Sequence, residues 1–310
     1  TRSLSSAASD VYKRQSICVV IFALIMVWYL SAFVLNKPWA MDKAKRAGIE
    51  ISSKELVLDT WSQEKPKLPA PHQVGVEIWK TTVEKKLTSK RSLIFHSWIT
   101  LSSTLVGFLI GTSLGILLAI GIVHNNAMNM SVMPWAIASQ TIPILAIAPM
   151  IIVVLNSIGV QGLLPKAIIS SYLCFFPVVV GMVKGLRSPD RIDTDLLHTY
   201  NATNVQKFWK LRLPTSMPFL FASLKVGISA SLVGAIVGEL PTGAVRGLGA
   251  RLLAGSYYGQ TIQIWSALIM AAMLAAVLVG ILALLQRFTL NRMGMTCLLY
   301  TSDAADERLR

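Results

Sequence analysis

The stretch SWITLSSTLVGFLIGTSLGILLAIGIV, from Ser97 to Val123, decides the class of fold. It contains no charged residue and is longer than the roughly 20 apolar residues that a helix needs to cross a bilayer core. Asp, Glu, Lys and Arg are likewise absent from residues 97–165, 167–183 and 252–286. Backbone groups in lipid must be hydrogen-bonded internally, which favours helices over open strands. The sequence therefore predicts an all-α integral membrane protein.

The composition excludes several other classes of protein. Of the 310 residues, 54% are hydrophobic and 14% are charged, whereas soluble domains carry about 25% charged residues. The net charge of +14 is carried by Lys and Arg that lie between the apolar blocks, which is typical of loops beside membrane helices. We therefore expect no nucleic-acid partner. The three cysteines show no disulfide framework and no metal-ligand spacing, so we expect no metal site.

Both ends of the chain resemble translated sequencing-library adaptors. Ser5–Gln15 reads SSAASDVYKRQ, Cys297–Glu307 reads CLLYTSDAADE, and one DNA string encodes the first segment while its reverse complement encodes the second. Residues 1–15 and 297–310 are therefore expected to be artefacts and are left out of the functional argument.

Six apolar segments predict a bundle of six transmembrane helices. The segments are Ser16–Leu35, about Trp98–Val123, about Val132–Leu155, about Leu163–Val183, about Met217–Val237 and about Ile264–Gln286. The first helix, 16–35, is expected to end at the Asn36–Trp39 break and to be followed by a long extracytoplasmic loop over 36–97. The other five helices are expected to form a core over 98–286, and 287–296 a cytoplasmic end. Gly107, Gly111 and Gly115 place small residues on one helix face, which suits close helix packing.

The loop charges predict the orientation of the chain. The short polar segment 184–214 carries more Lys and Arg than Asp, and short basic loops favour the cytoplasm. Both ends then also lie in the cytoplasm, and the long loop 36–97 faces outward. That loop contains many Lys residues, which conflicts with the rule, but loops near 60 residues obey the rule poorly.

The segment 184–214 contains a spaced motif. Asp195-Leu-Leu-His-Thr-Tyr-Asn201 is followed by nine residues and then by Leu211-Arg-Leu-Pro214. This resembles the signature loop of the permease subunits of bacterial ABC importers, which reads Glu-Ala-Ala, three residues, Gly, nine residues and Ile-x-Leu-Pro. Leu196 and Leu197 replace the two alanines. Asn201 replaces the glycine, and Asn also adopts the left-handed turn readily, so a helix–turn–helix is still expected.

The same segment has two explanations that do not depend on the family. A short amphipathic helix with Phe208 and Trp209 among basic residues would dock into a groove on a partner. Alternatively, it would lie on anionic lipid headgroups. Composition alone favours the headgroups, and the matched spacing of the motif reverses that preference.

The resemblance covers about Leu68–Gln286 and is similar to the nitrate, sulfonate and taurine branch, which also includes thiamine-precursor, pyrimidine-like and riboflavin importers. It implies a type I importer permease with a cytoplasmic ATPase, a second permease subunit forming a homodimer, a periplasmic substrate-binding protein and surrounding membrane lipid. It implies coupling to the ATPase through residues at the motif and beside it: Asp195, Asn201, Ala202, Phe208, Leu211, Leu213 and Pro214. The location implied is the bacterial inner membrane.

The sequence contains no phosphate-binding loop with the Gly-x-x-x-x-Gly-Lys-Ser/Thr spacing, no metalloprotease motif and no nucleophile elbow. We therefore expect no catalytic residue and no cofactor on this chain, with ATP hydrolysed by the partner subunit. The four histidines fall in loops or at segment edges and are expected to be solvated or interfacial. A self-contained secondary transporter or channel is the alternative function, although the repeats typical of such proteins are not evident.

Four polar residues are candidates for lining the transport pathway: Gln140, Thr141, Asn156 and Glu239. The first three offer hydrogen bonds without charge, and they would equally serve to link helices. Glu239 lies at the outer end of the fifth segment, where a solvated loop position is an equal alternative. Lys225 is expected to snorkel to the cytoplasmic interface.

Overall fold

The computed structural model describes residues 2–48, 52–86, 89, 91–241 and 246–295, with side chains from Gln15 onward. The described residues form helices and connecting segments, with no strand among them. They divide into two compact units, one of residues 1–95 with 251–270 and the other of residues 96–250 with 271–310. The expected artefact at 297–310 lies outside the described residues.

The first unit begins with α1, Arg2–Ala47, which continues well past the predicted end at Leu35. The prediction of a helix end at Asn36–Trp39 is wrong, because the helix runs through Pro38. Asn36 connects this part of α1 to residues 60–68. It is fully buried, its amide donates to the carbonyls of Thr60 and Leu68, and its oxygen accepts from the N–H groups of Lys67 and Leu68.

The predicted loop 36–97 is largely helical. After α1 it contains α2, Ser53–Ser62, and α3, Pro71–Trp79, which a π-helical turn extends over Lys80–Glu84. Glu55 accepts from the N–H of Ser52 at 3.1 Å, and Gln73 accepts from the N–H of Ala70 at 3.0 Å. These contacts cap orphan donors at the two helix starts. The indole of Trp28 in α1 donates to the carbonyl of Pro69 at 3.0 Å.

The second unit is built on three long helices. They are α4, Leu93–His124, α7, Leu163–Leu186, and α10, Leu213–Glu239. A β-carbon added at Gly107 would lie 2.5 Å from that of Ser170, so α4 and α7 meet almost backbone to backbone. The predicted glycine face is thereby confirmed. Ser231 of α10 links the helices further, since it donates to the Thr104 carbonyl at 2.9 Å and bonds the Ser170 hydroxyl at 2.6 Å.

Two shorter helices, α5, Asn126–Ser139, and α6, Ile144–Ser157, stand in place of the third predicted helix. They are bent by 100° at a break of a few residues. Arg187 at the end of α7 bonds Asn129 in α5 at 3.0 Å, and the Tyr172 hydroxyl donates to the carbonyl of Ser139. Ile152 in α6 packs on Ile169, near the start of α7. The pair therefore follows α7 from one end to the other as one broken span.

The remaining helices are α8, Arg191–Thr199, α9, Asn204–Lys207, α11, Leu248–Tyr257, and α12, Thr261–Arg292. In the described part of the chain, five helical stretches are long and apolar enough to cross a membrane, and the broken pair is the sixth. The prediction of an all-α bundle of six transmembrane helices is confirmed. The predicted cytoplasmic end at 287–296 continues α12 as far as Arg292.

Candidate functional site

The spaced motif folds into a helix, a tight turn and a second helix. Asn201 ends α8 in the left-handed conformation, with φ of 52°, as predicted for the residue that replaces glycine. The N–H of Ala202 donates to the carbonyl of Leu197 at 3.0 Å, and the N–H of Asn201 donates to that of His198 at 2.9 Å. These two bonds form a Schellman motif, which satisfies carbonyls that the helix end leaves open. The turn is therefore set by local backbone chemistry.

The chain then enters α10 without a break. Thr203 caps α9 by accepting from the N–H of Gln206 at 3.3 Å, and a π-helical turn over Phe208–Arg212 joins α9 to α10. Leu213 and Pro214 of the motif are half-buried at the start of α10. They form part of a continuous helical connection between the turn and the membrane bundle.

One face of the segment is apolar and exposed. Ile192, Leu196 and Tyr200 lie four residues apart and are 81%, 55% and 77% exposed. Residues at this spacing share one side of a helix, so the three side chains form a continuous surface, which we call the docking face. The sequence interpretation missed this set. The i, i+4 spacing was the signal that would have identified it.

A groove of about 200 Å³ lies where α4 meets α9 and the π-helical turn. Its lining comprises Ile120, His124, Asn204, Val205, Phe208 and Trp209. The ring of Phe208 packs edge-on against His124 of α4 at a centroid distance of 5.3 Å and also contacts the buried cluster between α4 and α7. Phe208 was predicted to face the ATPase. The structure places Phe208 half-buried between the segment and the bundle and Trp209 exposed, and the coupling role of Phe208 stays a prediction.

Asp195 is exposed on α8, Ala202 is half-buried after the turn, and Leu211 is half-buried in the π-helical turn. Their roles in coupling stay predictions. Ala202 lies two residues after Tyr200 of the docking face. A charged side chain introduced at Ala202 would therefore lie near the docking face.

The uncharged pathway candidates are exposed. Gln140 and Thr141 lie at the break between α5 and α6, where Thr141 donates to the carbonyl of Ala138 at 2.8 Å. Tyr172, whose hydroxyl donates to the carbonyl of Ser139, lies about 14 Å from the start of α7 at about 1.5 Å per residue. The break therefore lies near mid-depth of the bundle. Asn156 lies apart from it, at the far end of α6. A role for these residues in the pathway stays a prediction.

Glu239 lies in a polar cluster at the opposite end of the bundle from the docking face. Of the two alternatives for Glu239, a solvated loop position is wrong, because its side chain is fully buried, and a role in the pathway stays a prediction. Its carboxylate accepts from the Thr100 hydroxyl at 3.0 Å and from the N–H of Gly249 at 2.8 Å. Lys166 approaches it at 3.8 Å and also donates to the carbonyl of Arg246 at 3.4 Å. The carboxylate thus joins α4, α7 and α10 to the segment that leads into α11.

His96 and Lys166 belong to the same cluster and were missed as functional candidates. His96 is buried and accepts from the N–H of Gly247 at 2.9 Å, so its expected place at a solvated or interfacial edge is wrong. Lys166 is the single charged residue between Ser97 and Val183. An isolated charge at membrane depth is a functional candidate by default, and that rule identifies Lys166 from sequence.

Among the residues described here, no group of three or more His, Cys, Asp or Glu side chains is placed to hold a metal ion.

Comparison with known proteins gives one family match and several relatives. Residues 111–294 match the family described as the binding-protein-dependent transport system inner membrane component. The formylaminopyrimidine transport permease protein ThiX of Halalkalibacterium halodurans is 32% identical over 183 residues, 59% of this chain and 68% of that protein. The riboflavin transport system permease protein RibX of Chloroflexus aurantiacus is 29% identical over 220 residues, 71% of this chain and 78% of that protein. The putative aliphatic sulfonates transport permease protein SsuC of Bacillus subtilis is 23% identical over 203 residues, 66% of this chain and 72% of that protein.

Proposed function

The chain belongs to the family of binding-protein-dependent transport system inner membrane components, and from this premise we propose that its docking face couples transport to a separate ATPase. The resemblance to ABC importer permeases is confirmed, so the protein is the transmembrane permease of an ABC importer in the inner membrane. Membership of this family implies an ATPase and a substrate-binding protein as partners in general terms. The docking face, the orientation of the chain and the substrate are the subjects of the proposal.

The observation that carries the proposal is the exposed apolar surface of α8 at one end of a tightly packed bundle. The bundle leaves most of the side-chain surface of Ile192, Leu196 and Tyr200 exposed to solvent. An amphipathic helix of this kind binds in a groove, with its apolar residues as anchors. A partner that grips α8 and moves it would shift α9 and α10 as well, because the helical connection is continuous.

We place the segment 184–214 in the cytoplasm, where the ATPase is. Successive spans cross the membrane in opposite directions. It follows that α1 begins and α12 ends on the cytoplasmic side, and that the Glu239 cluster faces the exterior. ATP is bound and hydrolysed by the partner chain, and this chain binds no cofactor. Binding of ATP changes the transport state only if the ATPase contacts the docking face differently in its two states.

A homodimer of this chain, surrounded by lipid, would enclose the pathway, with the break at Gln140 and Thr141 near mid-depth. Broken helices at this depth line substrate sites in secondary transporters, because their free backbone groups can face a ligand, and we expect the same physical property to serve this pathway. The substrate is a small solute delivered by the binding protein. The names of the relatives favour a pyrimidine, riboflavin, sulfonate or similar small molecule.

The test is reconstitution of the chain in vesicles with its ATPase and binding protein. Uptake is expected only when both partners and ATP are present, and replacement of Ala202 by Glu is expected to abolish uptake while the chain still inserts. Uptake by the chain alone under an ion gradient would contradict the proposal and support a self-contained secondary transporter or channel. Full ATP-driven uptake by the Ala202→Glu variant would contradict the docking assignment alone.

A further inference from the structure

We propose that the Glu239 cluster is a latch that holds the outer end of the bundle closed and opens in each transport cycle. The inference rests on the proposed function for its direction, since it takes the Glu239 end as the outer one. The latch consists of Thr100 in α4, Lys166 in α7, Glu239 in α10 and the segment Gly247–Gly249.

The contacts come from three different helices and one loop. Thr100 donates to the Glu239 carboxylate and accepts from the N–H of Leu248 at 2.9 Å. Lys166 pairs with Glu239 and holds the carbonyl of Arg246. Each contact crosses a boundary between two elements. The outer ends of α4, α7 and α10 therefore cannot separate, and the loop cannot lift, without breaking contacts to this one carboxylate.

The carboxylate of Glu239 and the ammonium group of Lys166 are both buried, so we expect the latch to be either fully closed or fully open. The Glu239 side chain is fully buried and that of Lys166 is 9% exposed. Removing one partner of a buried ion pair leaves an uncompensated charge away from water, which is strongly unfavourable. Intermediate positions are disfavoured for the same reason. The pair is stable either closed as observed, or open with both charges hydrated.

The loop is fitted to the carboxylate. Gly247 has φ of 124°, and a β-carbon there would lie 2.2 Å from the carboxylate carbon of Glu239. A β-carbon at Gly249 would lie 2.3 Å from the carbonyl of Ile236. Glycine at these positions lets the backbone close over the charged pair and exclude water. Gly247→Ala is therefore expected to force the loop and the Glu239 carboxylate apart, while every charged side chain of the cluster is retained.

The position of the latch explains what it would control. The latch lies at the end of α10, and the start of α10 is joined through α9 to the turn that follows the docking face on α8. α10 has 27 residues and is about 40 Å long at about 1.5 Å per residue. Tightly packed helices move as discrete bodies rather than by smooth deformation. Movement of the docking face by the ATPase would then be expressed at the other end as separation of the latch. Delivery of a solute from the binding protein requires that separation.

The test uses the full chain in vesicles with Cys18 and Cys297 replaced by Ser and with Leu248→Cys added. The side chain of Leu248, within the latch segment Gly247–Gly249, is fully buried, so a membrane-impermeant maleimide added from outside is expected to label this thiol slowly. Labelling is expected to be at least tenfold faster in Glu239→Gln and in Gly247→Ala. The matched control is Gly162→Ala, which has a similarly strained φ of 80° but open space around it.

Cys174, which is buried in the middle of α7, reports whether the bundle itself stays folded. It is expected to resist a membrane-permeant maleimide in every variant. Equal labelling in Glu239→Gln, Gly247→Ala and the unmodified latch would overturn the proposal. So would labelling of Cys174 together with the introduced thiol in both variants, since the cluster would then only support folding.

The second arm adds the ATPase with ATP and vanadate to the chain with an intact latch. Labelling of the Leu248→Cys thiol is expected to rise at least fivefold when the nucleotide is trapped. If the complex transports actively but labelling does not depend on nucleotide, the cluster stays closed throughout the cycle and the latch proposal is wrong. If no ATPase binds, the proposed function fails, and the comparison of Glu239→Gln and Gly247→Ala with the control still decides whether the cluster closes this end.

Discussion

Removal of the docking face is the perturbation that bears most directly on coupling. In the variant Ile192→Ala/Leu196→Ala two exposed side chains are shortened, while the cap at Asn201 and the connection to α10 are unchanged. Exposed positions rarely affect folding by more than about 0.5 kcal/mol. The variant is therefore expected to insert and to unfold at the same temperature as the parent protein.

The expected loss of binding can be worked from the exposed areas. Complete burial of a Leu or Ile side chain stabilises by about 1.5–3 kcal/mol. Because Ile192 is 81% exposed and Leu196 is 55% exposed, docking can contribute roughly 2–4 kcal/mol from the two together. Each 1.4 kcal/mol is about tenfold in Kd. Alanine keeps the β-carbon and docking covers part of each side chain, so the lower figure applies, an increase in Kd of about 30-fold.

The assay is the affinity of the purified ATPase for the chain in nanodiscs, measured with a fluorescent label on the ATPase. The control is Leu58→Ala/Ile158→Ala, which shortens the same two residue types where they are 65% and 68% exposed, away from the segment 184–214. The control is expected to bind like the parent protein. An increase in Kd below threefold in Ile192→Ala/Leu196→Ala, or an equal increase in the control, would refute the docking face.

Three further predictions concern positions where the structure fixes the backbone. Asn201→Val is expected to destabilise the turn by about 1–2 kcal/mol, because Val is strained at a left-handed φ, while Asn201→Gly is expected to be neutral. Limited proteolysis of the segment 184–214 is expected to be faster in the Val variant alone. Equal proteolysis rates in the two variants would be evidence against the cap. Gly111→Val is expected to destabilise the bundle by about 1–3 kcal/mol through overpacking, since a β-carbon there lies 2.8 Å from the carbonyl of Ser171; the Tm is measured against Gly280→Val, which meets open space, and an unchanged Tm would contradict the packing. Asn36→Leu is expected to loosen the connection from α2 to α3, because the backbone groups of Thr60 and Lys67 that bond Asn36 lose their partner, at a cost of about 1–3 kcal/mol each. The rate of protease cleavage near Lys67 measures this loosening. An unchanged cleavage rate would disprove the role of Asn36.

The sequence predicted those features of the fold that arise from local chemistry. Long stretches without charge identify membrane helices because a charged side chain in the bilayer core is costly. The left-handed turn at Asn201 was likewise predictable, since the preference for that conformation belongs to the residue itself. The glycine face between α4 and α7 followed from spacing along one helix.

The features that were missed depend on contacts between distant residues. The continuation of α1 through Pro38 goes with the bonds that Asn36 makes to residues 60–68, which no local pattern encodes. Glu239 and Lys166 are separated by more than 70 residues, so their pairing becomes visible only when α7 and α10 are packed. The contact of Phe208 with His124 joins the segment 184–214 to α4, and no local sequence pattern encodes that contact. The predicted coupling role of Phe208 is not tested by it.

The side of the membrane on which the docking face lies is the central claim, and one measurement tests it directly. Tyr200→Cys, in the chain with Cys18 and Cys297 replaced by Ser, is treated with a membrane-impermeant maleimide in inside-out and right-side-out vesicles. The account predicts rapid labelling in inside-out vesicles only, and at least tenfold slower labelling when the ATPase is bound. Labelling in right-side-out vesicles, or labelling that the bound ATPase leaves unchanged, would contradict it.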